Sequence, residues 1–274
     1  MNNKKDSSKV YYLYGLTGKE ALSLLSQNEL KGLEGTKVEF EQVEDIIVLF
    51  GRLPADEYSA ESIEVKVKDM NWLEKRIYEH YIVQESVMSS DVTIVPFKFC
   101  TIYKTIKKTR GFVSKKQAFF IDLLCSLKGK QEWSVKVCRN KELFKKSICT
   151  LDPKIGKQIN SLENSSDGRS FLMKKKFLLD IDSFISKLTS EKTLTFLGEL
   201  KAIAKGSHQN EVSTPVDKRD QEIANYSFLI QKEDLAELKS RIDNFNKLYS
   251  NAGLYAHCSG PWLPYNFVSM SGVD

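Results

Sequence analysis

The residue types that most often carry chemistry form no familiar catalytic or metal-binding pattern in this sequence. Its three histidines, His80, His208 and His257, lie far apart and lack the paired spacing of metal ligands. The segment 15–19, Gly-Leu-Thr-Gly-Lys, lacks both the four-residue glycine spacing and the final Ser or Thr of a phosphate-binding loop. We therefore interpret 15–19 as a strand-to-helix turn and His80 as a hydrogen-bonded core residue. The sequence argues against an enzyme and implies no cofactor and no metal.

Composition narrows the class of protein further. The chain has 274 residues, of which 41% are hydrophobic and 28% charged, so we expect a soluble protein of two domains. Its five cysteines are odd in number and irregularly spaced, which favours reduced thiols in a cytoplasm. No apolar run approaches the roughly 20 residues that span a bilayer, and the polar start is unlike a signal peptide. We expect no association with a membrane.

Positive charge is concentrated in one stretch of the chain. The net charge is +5, yet residues 98–157 carry sixteen Lys or Arg against four Asp or Glu. Within 98–116 there are seven basic residues and no acidic one. Such a block could attract nucleic acid, an anionic membrane surface or an acidic protein, or it could be a solvated face that the acidic first third of the chain partly neutralises.

The pattern over residues 1–129 predicts an N-terminal α+β domain. Strands are expected at 10–14, 37–42, 45–50 and 91–95, from their β-branched and aromatic residues, and the strands at 37–42 and 45–50 are close enough to form a hairpin. Helices are expected after Thr17, from Asp69 to about Met88, and from Ser114 to Leu127. This order predicts a mainly antiparallel sheet with helices on one face.

The pattern over residues 130–259 predicts a second domain. Strands are expected at 132–139, 223–231 and 254–258, helices at about 154–162, 168–188 and 235–249, and an exposed loop at 205–218. The final strand–helix–strand unit is half of a ferredoxin-like fold, which the additional helices would modify. The fold class is therefore α+β, with two domains that each carry a mainly antiparallel sheet covered by helices.

The remaining segment, 260–274, is expected to be an extended C-terminal tail. Its prolines and aromatic residues suit a strap that lies in an apolar groove. We predict that the tail folds back onto the protein and is anchored there by Trp262, Tyr265 and Phe267.

Several of these segments together resemble one family, the gas vesicle proteins of the GvpF/GvpL type. The most specific are Gly-Pro-Trp-Leu-Pro-Tyr-Asn-Phe at 260–267 and the strand 127–137 with Glu132-Trp133. The opening Tyr-Tyr-Leu-Tyr-Gly at 11–15, His80, the segment 95–103 and Gly-Arg-Ser-Phe-Leu at 168–172 are also similar. The chain differs from the family pattern at Cys100, Phe171 and Leu263, where Gly, Tyr and Pro are usual.

The resemblance implies a two-domain α+β protein with a modified ferredoxin-like second domain. It also implies a non-enzymatic accessory or minor structural protein of gas vesicle assembly, located at the vesicle or in the cytoplasm of a prokaryote. Its expected partners are the small hydrophobic shell protein and other accessory proteins. A basic nucleic-acid-binding module is the alternative, and it rests on the positive charge alone.

Within that role, the basic stretch is our candidate for a partner-binding surface. Exposed lysines and arginines could set the orientation of a bound protein by charge. We call the following residues the basic surface: Lys98, Lys104, Lys107, Lys108 and Arg110.

Overall fold

The computed structural model describes residues 8–27, 29–151, 155, 157, 168–213 and 220–269, with the backbone alone described for 148–150 and 168–181. The chain divides into two compact units. Unit 1 holds the residues up to Gly129 together with those from Leu263 onward, and unit 2 is Lys130–Trp262. Within the described ranges, no helix combines the length and apolar character needed to cross a membrane.

Unit 1 is built on an antiparallel sheet of five strands in the order β2-β3-β1-β4, with β5 also paired to β1. The strands are β1 Lys9–Gly18, β2 Val38–Val43, β3 Ile46–Pro54, β4 Ile94–Pro96 and β5 Ile102–Tyr103. The predicted hairpin of β2 and β3 is present, with Val43 opposite Ile46.

The α-helices described for this unit are α1 Ala21–Gln27, α2 Ala60–Lys66, α3 Met70–Ser89, α4 Ile106–Lys115 and α5 Gln117–Leu127. The Asp69 carboxylate caps α3 by accepting from the amides of Asn71 and Trp72. The expectation that Ser114 starts the last helix was wrong. Thr105 instead caps an additional helix, α4, and α5 begins after Lys116.

Helices cover both faces of this sheet, which corrects the prediction of one covered face. Tyr12 and Tyr14 share a buried cluster with Val83 and Val87 of α3. Residues at alternate positions, such as Leu13 and Val48, point to the other face, on which α5 contacts β1, β3 and β4. The cause is visible in the sequence, because residues 46–50 are a continuous apolar run, typical of a strand buried on both sides.

Unit 2 carries a second antiparallel sheet, in the order β7-β8-β6-β9. The strands are β6 Lys130–Asn140, β7 Gly206–Gln209, β8 Asp220–Gln231 and β9 Leu254–Trp262. The described helices are α6 Lys141–Leu151, α7 Gly168–Ile203 and α8 Leu235–Tyr249. The fold class predicted from the sequence, α+β with two mainly antiparallel, helix-covered sheets, is thereby confirmed.

The core of unit 2 lies between its sheet and its helices. Trp133, Val135 and Val137 of β6 alternate into this core. The rings of Phe196 in α7 and Phe245 in α8 stack there with centroids 4.1 Å apart.

Two predictions for unit 2 need correction. Helix α7 continues to Ile203, because Phe196, Leu197 and Leu200 extend its apolar stripe. The predicted loop at 205–218 contains β7, which pairs with β8 although its side chains are polar. The helix predicted at about 154–162 lies outside the described residues, apart from 155 and 157.

Strands β8 and β9 both pair antiparallel to β6, from opposite sides, and α8 connects them. They therefore form a strand–helix–strand unit with one strand inserted between its two strands. That the whole of unit 2 is a modified ferredoxin-like fold stays a prediction.

The C-terminal segment differs from the expected tail in where it begins. Strand β9 runs through Gly260 and Pro261 to Trp262, so the segment outside the strand starts at Leu263. Pro261 has no backbone N–H to donate to a neighbouring strand. It fits in β9 because the β6–β9 pairing shifts register between Glu132 and Ser134, so no hydrogen bond from residue 261 is required. We call Leu263–Val268 the strap.

None of the three aromatic residues predicted to anchor this segment is fully buried, although Tyr265 is held through its hydroxyl, which donates to Gln84 Oε1. Trp262 is 44% exposed, Tyr265 is 38% exposed and Phe267 is half-buried. Leu263 and Val268 are buried instead, and Leu263 joins the cluster under α3. A short apolar side chain fits that cluster, whereas the Trp262 ring remains at the surface and donates from Nε1 to Ser259 Oγ.

We predict that Leu263→Ala lowers the free energy of unfolding by about 2–5 kcal/mol, since it removes a fully enclosed side chain. The same truncation at the exposed Leu194 should change it by less than about 0.5 kcal/mol. Urea denaturation followed by circular dichroism measures both. Equal effects of the two substitutions would show that the strap is not part of the core.

Candidate functional site

Polar groups from four segments of unit 1 meet in one buried cluster, which we call the polar node. Its members are Tyr12 of β1, His80 and Gln84 of α3, the carbonyl of Phe97 after β4, and Tyr265 of the strap. His80 and Gln84 share one face of α3 because they are four residues apart. His80 is only 3% exposed.

We assign the tautomer of His80 from its two contacts with oxygen atoms, since its Nε2 also lies 2.9 Å from the donor Nε2 of Gln84 and that contact does not decide it. Nε2 lies 3.0 Å from the carbonyl oxygen of Phe97, which can only accept, so we assign the ring proton to Nε2. Nδ1 lies 2.9 Å from the Tyr12 hydroxyl and accepts its proton. The Tyr12 oxygen in turn accepts from the Cys100 amide at 3.2 Å. Both ring nitrogens are therefore used, as we expected of a core histidine.

The side-chain amide of Gln84 connects three segments. Its Nε2 donates to the carbonyl oxygens of Tyr14 at 2.6 Å and Phe97 at 2.9 Å. Its Oε1 accepts from the Tyr265 hydroxyl at 2.6 Å. One amide thus holds β1, the turn after β4 and the strap together.

Burial keeps the polar node uncharged at neutral pH. It lowers the pKa of His80 to about 4, although the Phe97 hydrogen bond opposes this shift. Burial also raises the pKa of Tyr265 to about 12 and raises the pKa of Tyr12. Because its members hydrogen-bond one another, the arrangement serves to position chain segments.

A charged cluster about one turn before the polar node on α3 holds the turn before β2. The guanidinium of Arg76 lies 3.1 Å from Glu34 Oε1 and 2.5 Å from Glu79 Oε2. Glu79 also accepts from the Glu34 amide at 3.0 Å, and the Tyr58 hydroxyl donates to Glu34 at 2.9 Å. These contacts fix residues 33–35 against α3.

The basic surface is separate from the polar node. All five of its side chains are exposed, with Lys107, Lys108 and Arg110 on α4. Arg110 forms an ion pair with Glu41 of β2, which partly neutralises its charge. Within the described part of the chain, no carboxylate lies within ion-pair distance of the four lysines of this surface.

Sequence reasoning identified some of these residues and missed others. It placed His80 in the core and Tyr265 on the tail, but it did not find Gln84 or connect the two. The available signal was a polar pair, four residues apart, on the buried side of an amphipathic helix. Among the described side chains, no group of three or more His, Cys, Asp or Glu could hold a metal ion.

We predict that Tyr265→Phe lowers the free energy of unfolding by about 1–3 kcal/mol, because it leaves the buried Gln84 oxygen without a donor. Tyr78→Phe is the matched control, since Tyr78 is an exposed residue of α3, and it should cost less than about 0.5 kcal/mol. Urea denaturation measures both. A Tyr265→Phe protein as stable as the control would remove Tyr265 from the polar node.

The lowered pKa of His80 also predicts a pH dependence of stability. The unfolded chain binds a proton at this residue as the pH falls through 6.5, whereas the folded protein does so only near 4. The free energy of unfolding should therefore fall between these two values, by about 3 kcal/mol from His80 alone.

The difference between wild type and His80→Gln isolates this contribution, because the two proteins share every other titrating group. Chemical denaturation at intervals from pH 7 to pH 4 should give a wild-type advantage that shrinks as the pH falls. A constant difference across that range would mean that His80 titrates normally.

Comparisons of this chain with known sequences and structures all match it to gas vesicle proteins. Residues 10–269 match the profile of the family described as Gas vesicle synthesis protein GvpL/GvpF. Gas vesicle protein L1 of Halobacterium salinarum is 20% identical over 213 residues, which cover 74% of this chain and 73% of that protein. Gas vesicle protein L of Streptomyces sp. strain CB03234 is 18% identical over 243 residues, which cover 84% and 82%.

Two solved structures share the fold. The crystal structure of GvpF from Anabaena sp. PCC7120 superposes with a TM-score of 0.67 at 18% identity, over 96% of this chain and 99% of that one. GvpF from Microcystis aeruginosa gives a TM-score of 0.62 at 18% identity, over 95% and 99%. With the profile matched over nearly the whole length, the chain belongs to the GvpL/GvpF family of gas vesicle synthesis proteins.

Proposed function

We propose that this protein is a non-enzymatic accessory protein of gas vesicle assembly, which binds the small hydrophobic shell protein and other accessory proteins. Membership of the family supports a role in gas vesicle formation. We place the protein at the gas vesicle or in the cytoplasm of a prokaryote.

The polar node is the observation that carries the non-enzymatic part of this proposal. Its members come from the opening strand, the His80 helix, the segment 95–103 and the tail, which are segments that resemble the family. There these residues are neutral and bonded to one another, and all except the partly exposed Tyr265 are buried. These parts of the resemblance are therefore accounted for by the packing of unit 1, and we propose that function belongs to the surfaces around it.

The physical need for an accessory protein follows from the shell itself. A shell protein that faces gas must carry a large apolar surface, which promotes aggregation before assembly. A partner that covers such a surface, and orients it by charge, would keep it competent to assemble. We propose that the basic surface contributes this charge, mainly through Lys98, Lys104, Lys107 and Lys108, since Arg110 already pairs with Glu41.

We predict that the joint substitution of Lys104, Lys107 and Lys108 by Glu weakens pull-down of co-expressed shell protein by at least about fivefold. The reason is that it changes the charge of this surface from positive to negative. The matched control replaces three other exposed lysines with Glu, namely Lys68, Lys187 and Lys247. Circular dichroism checks that both variants fold. Equal recovery of the shell protein with both variants would contradict the role of the basic surface.

Nucleic-acid binding, the alternative that this charge suggests, is tested on the same proteins. Phosphate contacts give affinities that fall steeply with salt. Binding of wild type to generic duplex DNA with such a dependence, abolished in the triple Glu variant, would favour the alternative.

A further inference from the structure

One side of α3 leaves a row of apolar side chains at the surface. Met70, Leu73, Ile77 and Tyr81 follow one another at helical spacing and line one surface depression with Glu74 and Tyr78. Met70 is 69% exposed and Ile77 is 44% exposed, whereas the adjacent side of the helix carries the buried His80, Val83 and Val87. We call Met70, Leu73, Ile77 and Tyr81 the α3 stripe.

The outer border of the α3 stripe is acidic. Glu74 and Glu85 are eleven residues apart, about three helical turns, and so lie on the same side of α3. Burial raises the pKa of Tyr81, and the nearby charge of Glu85 raises it further. Neither carboxylate forms an ion pair with any residue that the structure describes.

The neighbouring basic residues do not neutralise this border. Arg76 is engaged by Glu34 and Glu79 on another side of the helix. Lys75 follows Glu74 directly and so points about 100° away from it around the helix axis. The two carboxylates of the border are therefore available to a partner.

We infer that the α3 stripe is a docking surface for an amphipathic helix of a partner protein, whose apolar ridge is bordered by Lys or Arg. An apolar row at this spacing matches the ridge of a second helix, packed ridge into groove. The acidic border selects a partner with basic residues beside its ridge, because unpaired carboxylates attract such residues and repel acidic ones.

Helix α4 of a second copy, although basic, does not supply such a ridge, because it turns its apolar Val113 into its own core and exposes lysines. The α3 stripe is also distinct from the basic surface, since α4 pairs with Glu41 on the opposite face of the sheet. The two surfaces can therefore be tested independently.

The test uses two synthetic 18-residue amphipathic helices with the same leucine ridge, one bordered by Lys and the other by Glu. We expect fluorescence anisotropy to give at least about tenfold tighter binding of the Lys-bordered peptide to the full chain. Ile77→Asp should weaken that binding at least about tenfold by placing a charge in the ridge contact. Joint Glu74→Lys and Glu85→Lys substitution should reverse the preference between the peptides.

The controls are Phe40→Asp, at an exposed apolar residue of β2, and the triple Glu variant of the basic surface. Both should bind the Lys-bordered peptide as wild type does. Equal affinity for the two peptides, or binding unaffected by Ile77→Asp, would overturn the inference. Sedimentation that reveals a dimer dissociated by Ile77→Asp would also overturn it, because a second copy would then cover the stripe.

Discussion

The hydrogen-bonding requirement of one buried amide constrains much of unit 1. Gln84 must satisfy two N–H donors and one oxygen away from water, and a buried polar atom left without a partner costs about 1–3 kcal/mol. Its partners come from β1, from the turn after β4 and from the strap, which lie far apart in sequence. Only a chain that brings these segments together meets the requirement, so the first and last parts of the sequence are structurally interdependent.

This constraint separates the residues that identify the family from those that would bind partners. The opening strand, His80, the segment after β4 and the tail carry much of the resemblance, and they are used inside unit 1. The exposed features, the α4 part of the basic surface and the α3 stripe, lie on opposite faces of the same sheet. A molecule built in this way can present two chemically different surfaces without either disturbing its core.

The local pattern of apolar and polar residues was sufficient to predict much of the fold. The alternation of Trp133, Val135 and Val137 located β6, and the apolar spacing of α8 located that helix. The continuous run at 46–50 already indicated a strand buried on both faces, but we interpreted it as half of a one-sided hairpin. Strand β7 could not be found in this way, because polar side chains carry no pattern of burial and its pairing with β8 is a tertiary contact.

The candidate sites depended more on contacts between distant residues. Neither the ion pair of Arg110 with Glu41 nor the bond of Tyr265 to Gln84 leaves a local signature, since their partners are 69 and 181 positions apart. The prediction that Trp262 is a buried anchor failed, although large aromatic residues are usually buried. Trp262 lies at the exposed end of β9, and the next residue, Leu263, packs into the core instead. Size and hydrophobicity predict average burial and not the direction in which a particular side chain points.

The most direct test of this account is a double-mutant cycle between Gln84→Leu and Tyr265→Phe, read as free energies of unfolding. If the strap is held through this amide, the two losses should be non-additive by about 1–2 kcal/mol, because the second substitution removes a partner already lost. A parallel cycle that pairs Gln84→Leu with Tyr78→Phe should give no coupling. Additive losses in the first cycle would show that Gln84 and Tyr265 act independently and would contradict the central role given to the polar node.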